Sequence, residues 1–230
     1  MSGYVTLARD GEAEVEVKRS RFRCTLQRVE DEPSARALVE RLRKQHWDAR
    51  HHCSAFRIGP VGDGVQPVER SNDDGEPAGT AGAPMLEVLR GYPSEGSGTG
   101  PVTGVSDVVA VVTRWFGGTL LGAGGLVRAY SDAVRAALDE VGTLRRELVR
   151  EYTLVASYDV VGRLETDLRA AGVAVLGTDY AAEYAAGVTL HLGAPPAEEP
   201  RLSALVAELT AGASVLRPGT ERWADVGGPA

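Results

Sequence analysis

Two arginines, Arg114 and Arg128, bracket five glycines, Gly117, Gly118, Gly122, Gly124 and Gly125, in one short stretch. A glycine-rich turn that feeds a helix leaves backbone N–H groups free to converge on an anion, and flanking guanidinium groups add charge-assisted donors. The chemistry on offer is a seat for a phosphate or another anion. Neither familiar version of that seat is spelled out. A Walker A loop places Lys and then Ser or Thr after its last glycine, where this chain has Leu126 and Val127. The dinucleotide fingerprint G-x-G-x-x-G would need glycine at Val127. The same glycines also suit positive backbone angles and close packing, and both readings stand at this point.

A second stretch, Ser71 to Thr80, gathers Asp73, Asp74 and Glu76 among Asn, Gly and Pro. Three carboxylates are the ligand type of a hard cation such as Mg²⁺, but the spacing is not that of an EF-hand, and Asp or Asn before Gly makes ordinary turns. The expectation is a recognition loop with Ser71, Asp73, Asp74, Glu76 and Thr80 as its polar residues, and no metal. A third stretch, His51-His52-Cys53, alternates across a strand, so only His51 and Cys53 share a face, two ligands short of a zinc site. No Ser-His-Asp set, nucleophile elbow or CxxC pair is present. No catalytic residue and no cofactor are expected, and the chain leans away from being an enzyme.

Elements must position these stretches. Val108–Thr113 is a run of apolar or β-branched residues, as a strand buried on both faces would be. Leu126, Val127, Tyr130, Val134 and Leu138 keep helical spacing after the glycines. Earlier, Gly11–Val17 alternates Glu with Ala or Val as a half-buried strand. Lys18-Arg19-Ser20-Arg21 makes a basic turn, and Phe22–Val29 returns as its partner. Pro33 and Ser34 open a helix with Ala35, Leu38, Val39 and Leu42 inward, and Arg50–Ile58 is a third strand. Thr80 is the expected N-cap of a short helix through Leu89. Residues 1–10 are read as a loose lead-in, with loops over Gly59–Gly64 and Gly91–Gly104. Gly142–Arg150 reads as a short connection.

Beyond it the order changes to strand 149–156, helix 160–171, strands 173–184 and 188–192, helix 196–211 and strand 214–216, a β-α-β-β-α-β pattern of ferredoxin-like type. The fold class is α+β in two domains, 1–147 and 148–230, with a disordered tail from about 218.

The charge is unevenly shared. The whole chain carries −7; residues 1–150 hold 20 Lys+Arg against 21 Asp+Glu, and residues 151–230 hold 5 against 11. A generally basic, nucleic-acid-coating protein is excluded, but a local cationic face on the first domain is not. A protein partner suits the acidic second domain better than nucleic acid does. Cys24 and Cys53 are too few for a disulfide framework and are expected to be reduced thiols. No secretory leader and no membrane-length apolar run appear, so a cytoplasmic protein without membrane partners is expected.

Several of these stretches together resemble the YigZ/IMPACT family. They are Ser20-Arg21-Phe22, Asp48-Ala49-Arg50-His51-His52-Cys53, the run from Ser71 to Gly82, Pro84-Met85-Leu86, Val112 to Gly118, and Leu120 to Tyr130. The resemblance implies a first domain of the fold shared by a small-subunit ribosomal protein domain, elongation factor G and the GHMP kinases. It also implies a ferredoxin-like second domain, similar to the last domain of elongation factor G. Eukaryotic IMPACT proteins regulate translation by binding an activator of the amino-acid-starvation kinase through an extra N-terminal RWD domain. No such segment precedes Gly11, so that partner is not expected.

What the resemblance does imply is a non-enzymatic binding protein of bacterial type, linked to translation through RNA, the ribosome or a translation factor. The candidate anion or nucleic-acid residues are Arg21, Arg50, His51, Arg114, Gly117, Gly118, Gly122, Gly124, Gly125 and Arg128. The alternative is a small-molecule binding protein or enzyme that uses the glycine turn for a phosphate or nucleotide.

Overall fold

The structure is a computed structural model, and it describes residues 3–61, 66–93, 104–180 and 187–226. The loops expected over Gly59–Gly64 and Gly91–Gly104 fall largely outside these residues, as does the end of the strand expected over 173–184. The chain divides into two compact units, the first running to Arg145 and the second spanning Arg146–Val226.

The first unit is built on an antiparallel sheet. Its strands are β2 (Gly11–Val17), β3 (Ser20–Arg28), β4 (His51–Ile58), β5 (Val68–Asn72) and β6 (Val108–Trp115), in the order β2-β3-β6-β4-β5. Helix α1 (Glu32–Gln45) packs on one face against Val29, Phe56, Ile58, Val109 and Val111. Helices α2 (Gly82–Gly91) and α3 (Ala123–Val141) cover the other, where Phe22, Cys24, Leu26, Cys53, Ala55, Ala110 and Val112 meet Met85, Leu126, Tyr130, Val134 and Leu138. β6 is the central strand with a core on each side. Val108 to Val112 are accordingly all 0% exposed, which is why the run needs no polar alternation. α1 starts cleanly because Asp31 Oδ1 accepts the Ser34 N–H at 2.6 Å.

The second unit contains most of β7 (Thr143–Ala156), then α4 (Val161–Ala170), β8 (Ala174–Asp179), β9 (Val188–Ala194), a 3-10 turn, α5 (Glu199–Leu209) and β10 (Arg217–Val226). β9 pairs antiparallel with β7 and with β8, and β10 pairs with β7. Tyr152, Leu154, Leu190 and Leu192 pack under Leu164, Leu168, Leu202 and Val206. No helix of the described residues is long and apolar enough to cross a membrane.

Several expectations are corrected. The lead-in contains β1 (Tyr4–Leu7), whose Val5 and Leu7 enter the first unit's core. The charged connection after Gly142 is already strand from Thr143. The final strand lies not at 214–216 but at Arg217–Val226, so the tail from about 218 is ordered through Val226. Pro218 and Gly219 hide it in the sequence, yet a strand at a sheet margin tolerates a missing N–H. Ion pairs fix it to β7, with Glu221 3.2 Å from Arg150 and Arg222 3.2 Å from Glu151. β5 was hidden likewise, because its five residues are charged and exposed at a sheet edge.

Candidate functional site

The Ser71–Thr80 loop leaves β5 and folds back over the start of β4 and the end of β6, and its acidic residues take three separate tasks. Asp73 is turned inward on the loop. Its Oδ2 accepts from Gly79 N–H at 2.8 Å, and its Oδ1 accepts from Ala81 and Gly82 N–H at 3.0 and 2.8 Å. Burial works against the ionised form, but the three N–H donors from Gly79, Gly82 and Ala81 outweigh it and hold the carboxyl below the usual range. Asp73 thereby satisfies the open end of α2, which corrects the expected role of Thr80. The helix is capped at Ala81 without its own side chain, and the Thr80 hydroxyl donates to Pro77 O at 2.7 Å instead. Asp74 accepts from His52 N–H at 2.6 Å and from Arg43 at 2.7 Å.

Glu76 reaches furthest in. Its Oε1 accepts from Arg114 Nη1 and, at 2.8 Å, from the Tyr130 hydroxyl. The Glu76 side chain is 4% exposed and the Arg114 side chain 7%, so this ion pair is withdrawn from water. Register explains the meeting. Phe22 and His51 are the cross-strand partners of Arg114, and Cys53 is opposite Val112, all on the sheet face that α3 covers. The Arg114 guanidinium lies 5.2 Å from the Phe22 ring centre and 5.8 Å from that of Phe116. Phe22 also meets Tyr130 edge-on at 5.2 Å.

His51 Nδ1 is 2.8 Å from the Asp74 carbonyl, which can only accept, so Nδ1 carries the proton. Its Nε2 stands 3.9 Å from Glu76 Oε1, too far for a hydrogen bond. Cys53 donates to the Asp73 carbonyl at 2.9 Å and lies 3.3 Å from the Tyr130 hydroxyl.

Chemically this cluster is an anchor. Burial pushes the Cys53 thiol up to about 12 and raises Tyr130 well above its ordinary range, so neither is an activated nucleophile. Among the described residues no three His, Cys, Asp or Glu side chains converge as metal ligands, because each carboxylate of the loop is turned to a different partner.

A second, exposed feature lies at the same end of the sheet. The turn between β2 and β3, the turn after α1 and the loop after β6 come together there. Gly117 N–H donates to Ser20 Oγ at 3.1 Å, and a Cβ on Gly117 would stand 2.0 Å from the Arg19 carbonyl carbon, so only glycine fits that contact. Arg19 bonds Thr119 Oγ1 at 3.2 Å, and Arg50 N–H reaches Arg114 O at 3.2 Å. Trp115 donates to Asp48 at 2.9 Å, meets the His46 ring at 5.3 Å, and lies under the guanidinium of Arg21 at 4.6 Å. Arg50 sits over Phe116 at 5.6 Å.

The sequence-derived residues are therefore divided. His51 and Arg114 belong to the buried anchor with Asp73, Asp74 and Glu76. Arg21, Arg50, Gly117 and Gly118 lie at the exposed end. Arg128 precedes inward-facing Tyr130 by two residues, about 200° round the helix, and points outward. Arg114 is committed to Glu76, so the two arginines do not close over the glycine turn as a phosphate seat would require. Gly122, with φ 72°, ends the turn and starts α3, whereas nothing stands within 4 Å of a Cβ on Gly124. The hydrogen bonds of Ser71–Thr80 run to β4, β6, α1, α2 and α3 and not to Gly117–Gly125.

Sequence reasoning missed Arg43, Cys53 and Tyr130 as partners of the loop. A tyrosine in an otherwise apolar helical stripe was the available signal, since a buried hydroxyl needs a partner. Trp47, Trp115 and Phe116 were missed as surface features.

The buried anchor and the exposed end both fall within residues 18–138, which match the Impact N-terminal domain family. The chain belongs to the IMPACT family. Residues 154–213, in the second unit, match a domain of unknown function, DUF1949. IMPACT family member YvyE of Bacillus subtilis is 42% identical over 74% of this chain and 71% of its own length. IMPACT family member YigZ of Escherichia coli is 39% identical over 87% of this chain and 90% of its own. A solved structure described as that of a hypothetical protein is 37% identical, covers 94% of this chain and 97% of its own, and superposes with a TM-score of 0.58. In this IMPACT chain, then, the long Ser71–Gly82 signature is explained by the anchor it builds.

Proposed function

We propose that this IMPACT protein is a non-enzymatic binding protein that acts in translation, through RNA, the ribosome or a translation factor, and that the exposed end of the first unit's sheet is its contact surface. The observation that carries the proposal is electrostatic. Lys18, Arg19 and Arg50 are exposed and have no carboxylate partner among the described residues, in a chain of net charge −7. Elsewhere in the same unit Arg9, Arg23, Arg36, Arg43, Arg57 and Arg90 are each ion-paired, while Arg41, Lys44, Arg70 and Arg128 are exposed with no carboxylate partner among the described residues. Unpaired cations gathered at one end are what a phosphate backbone attracts. The β-α-β-β-α-β order of the second unit, with β10 beside β7 and β9 between β7 and β8, supports its ferredoxin-like reading. Its acidic charge suits a protein partner. The alternative phosphate-seat reading loses support because Arg114 is taken by Glu76.

The test is co-sedimentation with purified ribosomes across a salt series, with and without RNase. Wild-type protein should pellet at low salt and be released as salt rises, and the triple variant Lys18→Glu, Arg19→Glu, Arg50→Glu should stay in the supernatant. Failure of the wild type to pellet at any salt concentration, or binding indifferent to the triple variant, defeats the proposal.

A further inference from the structure

Resting on that reading, we infer that the exposed end of the first unit binds single-stranded RNA, with unpaired bases stacked on Trp47 and Phe116 and phosphates held by Lys18, Arg19 and Arg50. Large apolar side chains are exposed on the turn after α1 and on the loop after β6. Trp47 is 82% exposed, Phe116 41% and Leu120 83%. Trp47 stands in the turn after α1. Its neighbours His46 and Asp48 both contact Trp115, and His46 O accepts from Ala49 N–H at 3.0 Å, a turn that holds the indole outward. The guanidinium groups of Arg114 and Arg50 lie 5.8 and 5.6 Å from the centre of the Phe116 ring.

Exposed aromatic rings interleaved with cations are the chemistry of a base-stacking platform, which takes the π-face of any unpaired base without regard to sequence. A duplex keeps its bases stacked inside and offers only phosphates, so it would use the cations and leave the rings idle. A wholly apolar protein partner would not call for Lys18, Arg19 and Arg50 beside the rings. The backbone keeps the cations within the same patch, since Arg19 bonds Thr119 in the loop that follows Phe116. Asp48, next to Trp47 in the chain, is engaged by the Trp115 indole N–H.

The experiment is fluorescence anisotropy with the full chain and a labelled RNA of about a dozen uridines, long enough for one platform, beside the same RNA annealed to oligo(rA). The single strand should bind more tightly than the duplex. Trp47→Ala should weaken single-strand binding roughly 5- to 150-fold, the loss of one base stack, while Trp47→Phe restores most of it. The slope of log affinity against log salt should be unchanged in Trp47→Ala, and should fall by about 2 when Lys18, Arg19 and Arg50 are all made Gln, at about 0.7 per phosphate contact. Phe116→Leu provides a second, independent ring removal. Because Trp47 is so exposed, its variants should fold as the wild type does.

Equal affinity for strand and duplex, or a Trp47→Ala variant that binds like the wild type, overturns the stacking inference while leaving an RNA-binding function intact. Absence of binding to either RNA, with ribosome co-sedimentation retained, overturns the inference and moves the contact to a ribosomal protein. Loss of both defeats the inference and the proposed function together.

Discussion

Removing Glu76 should damage this protein more than its place in a polar loop would suggest, and the damage should be recoverable by a second, apolar substitution. In the folded chain Glu76 Oε1 is the shared acceptor of Arg114 and of the Tyr130 hydroxyl, and the pair is almost sealed from water. Glu76→Leu strands a guanidinium beneath Phe116 and leaves the tyrosine hydroxyl without an acceptor. Breaking one side of a buried ion pair costs about 3–5 kcal/mol, mostly because the surviving charge is desolvated and uncompensated. For a chain of this size that is a fall in Tm of roughly 6–20 °C.

Arg114→Met alone should also destabilise, by leaving the Glu76 carboxylate buried beside Tyr130 without its cation. In the double variant both charges are gone and apolar side chains fill similar volumes, a replacement that is often close to neutral. The loss at Tyr130 is common to Glu76→Leu and the double variant, so it cancels from the coupling. Urea unfolding followed by the fluorescence of Trp47 and Trp115, in a Trp223→Phe background, reports the first unit. The double variant should cost at least about 3 kcal/mol less than the two single costs added together. Costs that add to within about 0.5 kcal/mol, the behaviour of independent sites, would refute the pairing and with it the account of why the loop is so distinctive.

Two further outcomes follow from the same anchor. Asp73 has its carboxyl held below its ordinary value by three N–H donors, so the stability it supplies is present above that value and is lost as pH falls through the lower folded one. Asp73→Asn should therefore be less stable than the wild type at neutral pH, with the gap closing below about pH 4. A gap that persists unchanged to lower pH would show that the charge is not what matters. Cys53 is pushed up to about 12 by burial, and Cys24 is fully buried and raised further still. Neither thiol should react with a disulfide reagent at pH 8 in the native protein, and both should react once urea is added. Rapid labelling of either native thiol would contradict the packing described for β3 and β4.

Much of the architecture was legible in one dimension because it rests on periodicity. The unbroken apolar run at Val108–Val112 could only be a strand covered on both faces, and the Glu-Ala-Glu-Val alternation from Glu12 could only be a half-buried edge. The order of elements after Gly142 was likewise legible except for its last strand, expected at 214–216 and found at Arg217–Val226. The strands that escaped, β1, β5 and β10, are short or carry Pro, Gly and charge, and are held by pairing rather than by their own pattern.

The site was legible only as composition. The sequence marked Ser71–Gly82 and Gly117–Gly125 as special, and left the glycine turn beside Arg114 open to two readings, an anion seat or a tightly packed turn. The choice between those outcomes depended on cross-strand register, which places Arg114 between Phe22 and His51, and on helix phase, which turns Tyr130 inward and Arg128 outward. Both are fixed by the burial of faces, and a buried carboxylate then takes whichever cation that register brings to it. Local residue types therefore determined which stretches stand out, and tertiary packing decided that one of them is an anchor and that exposed cations and rings lie at the end of the sheet beside it.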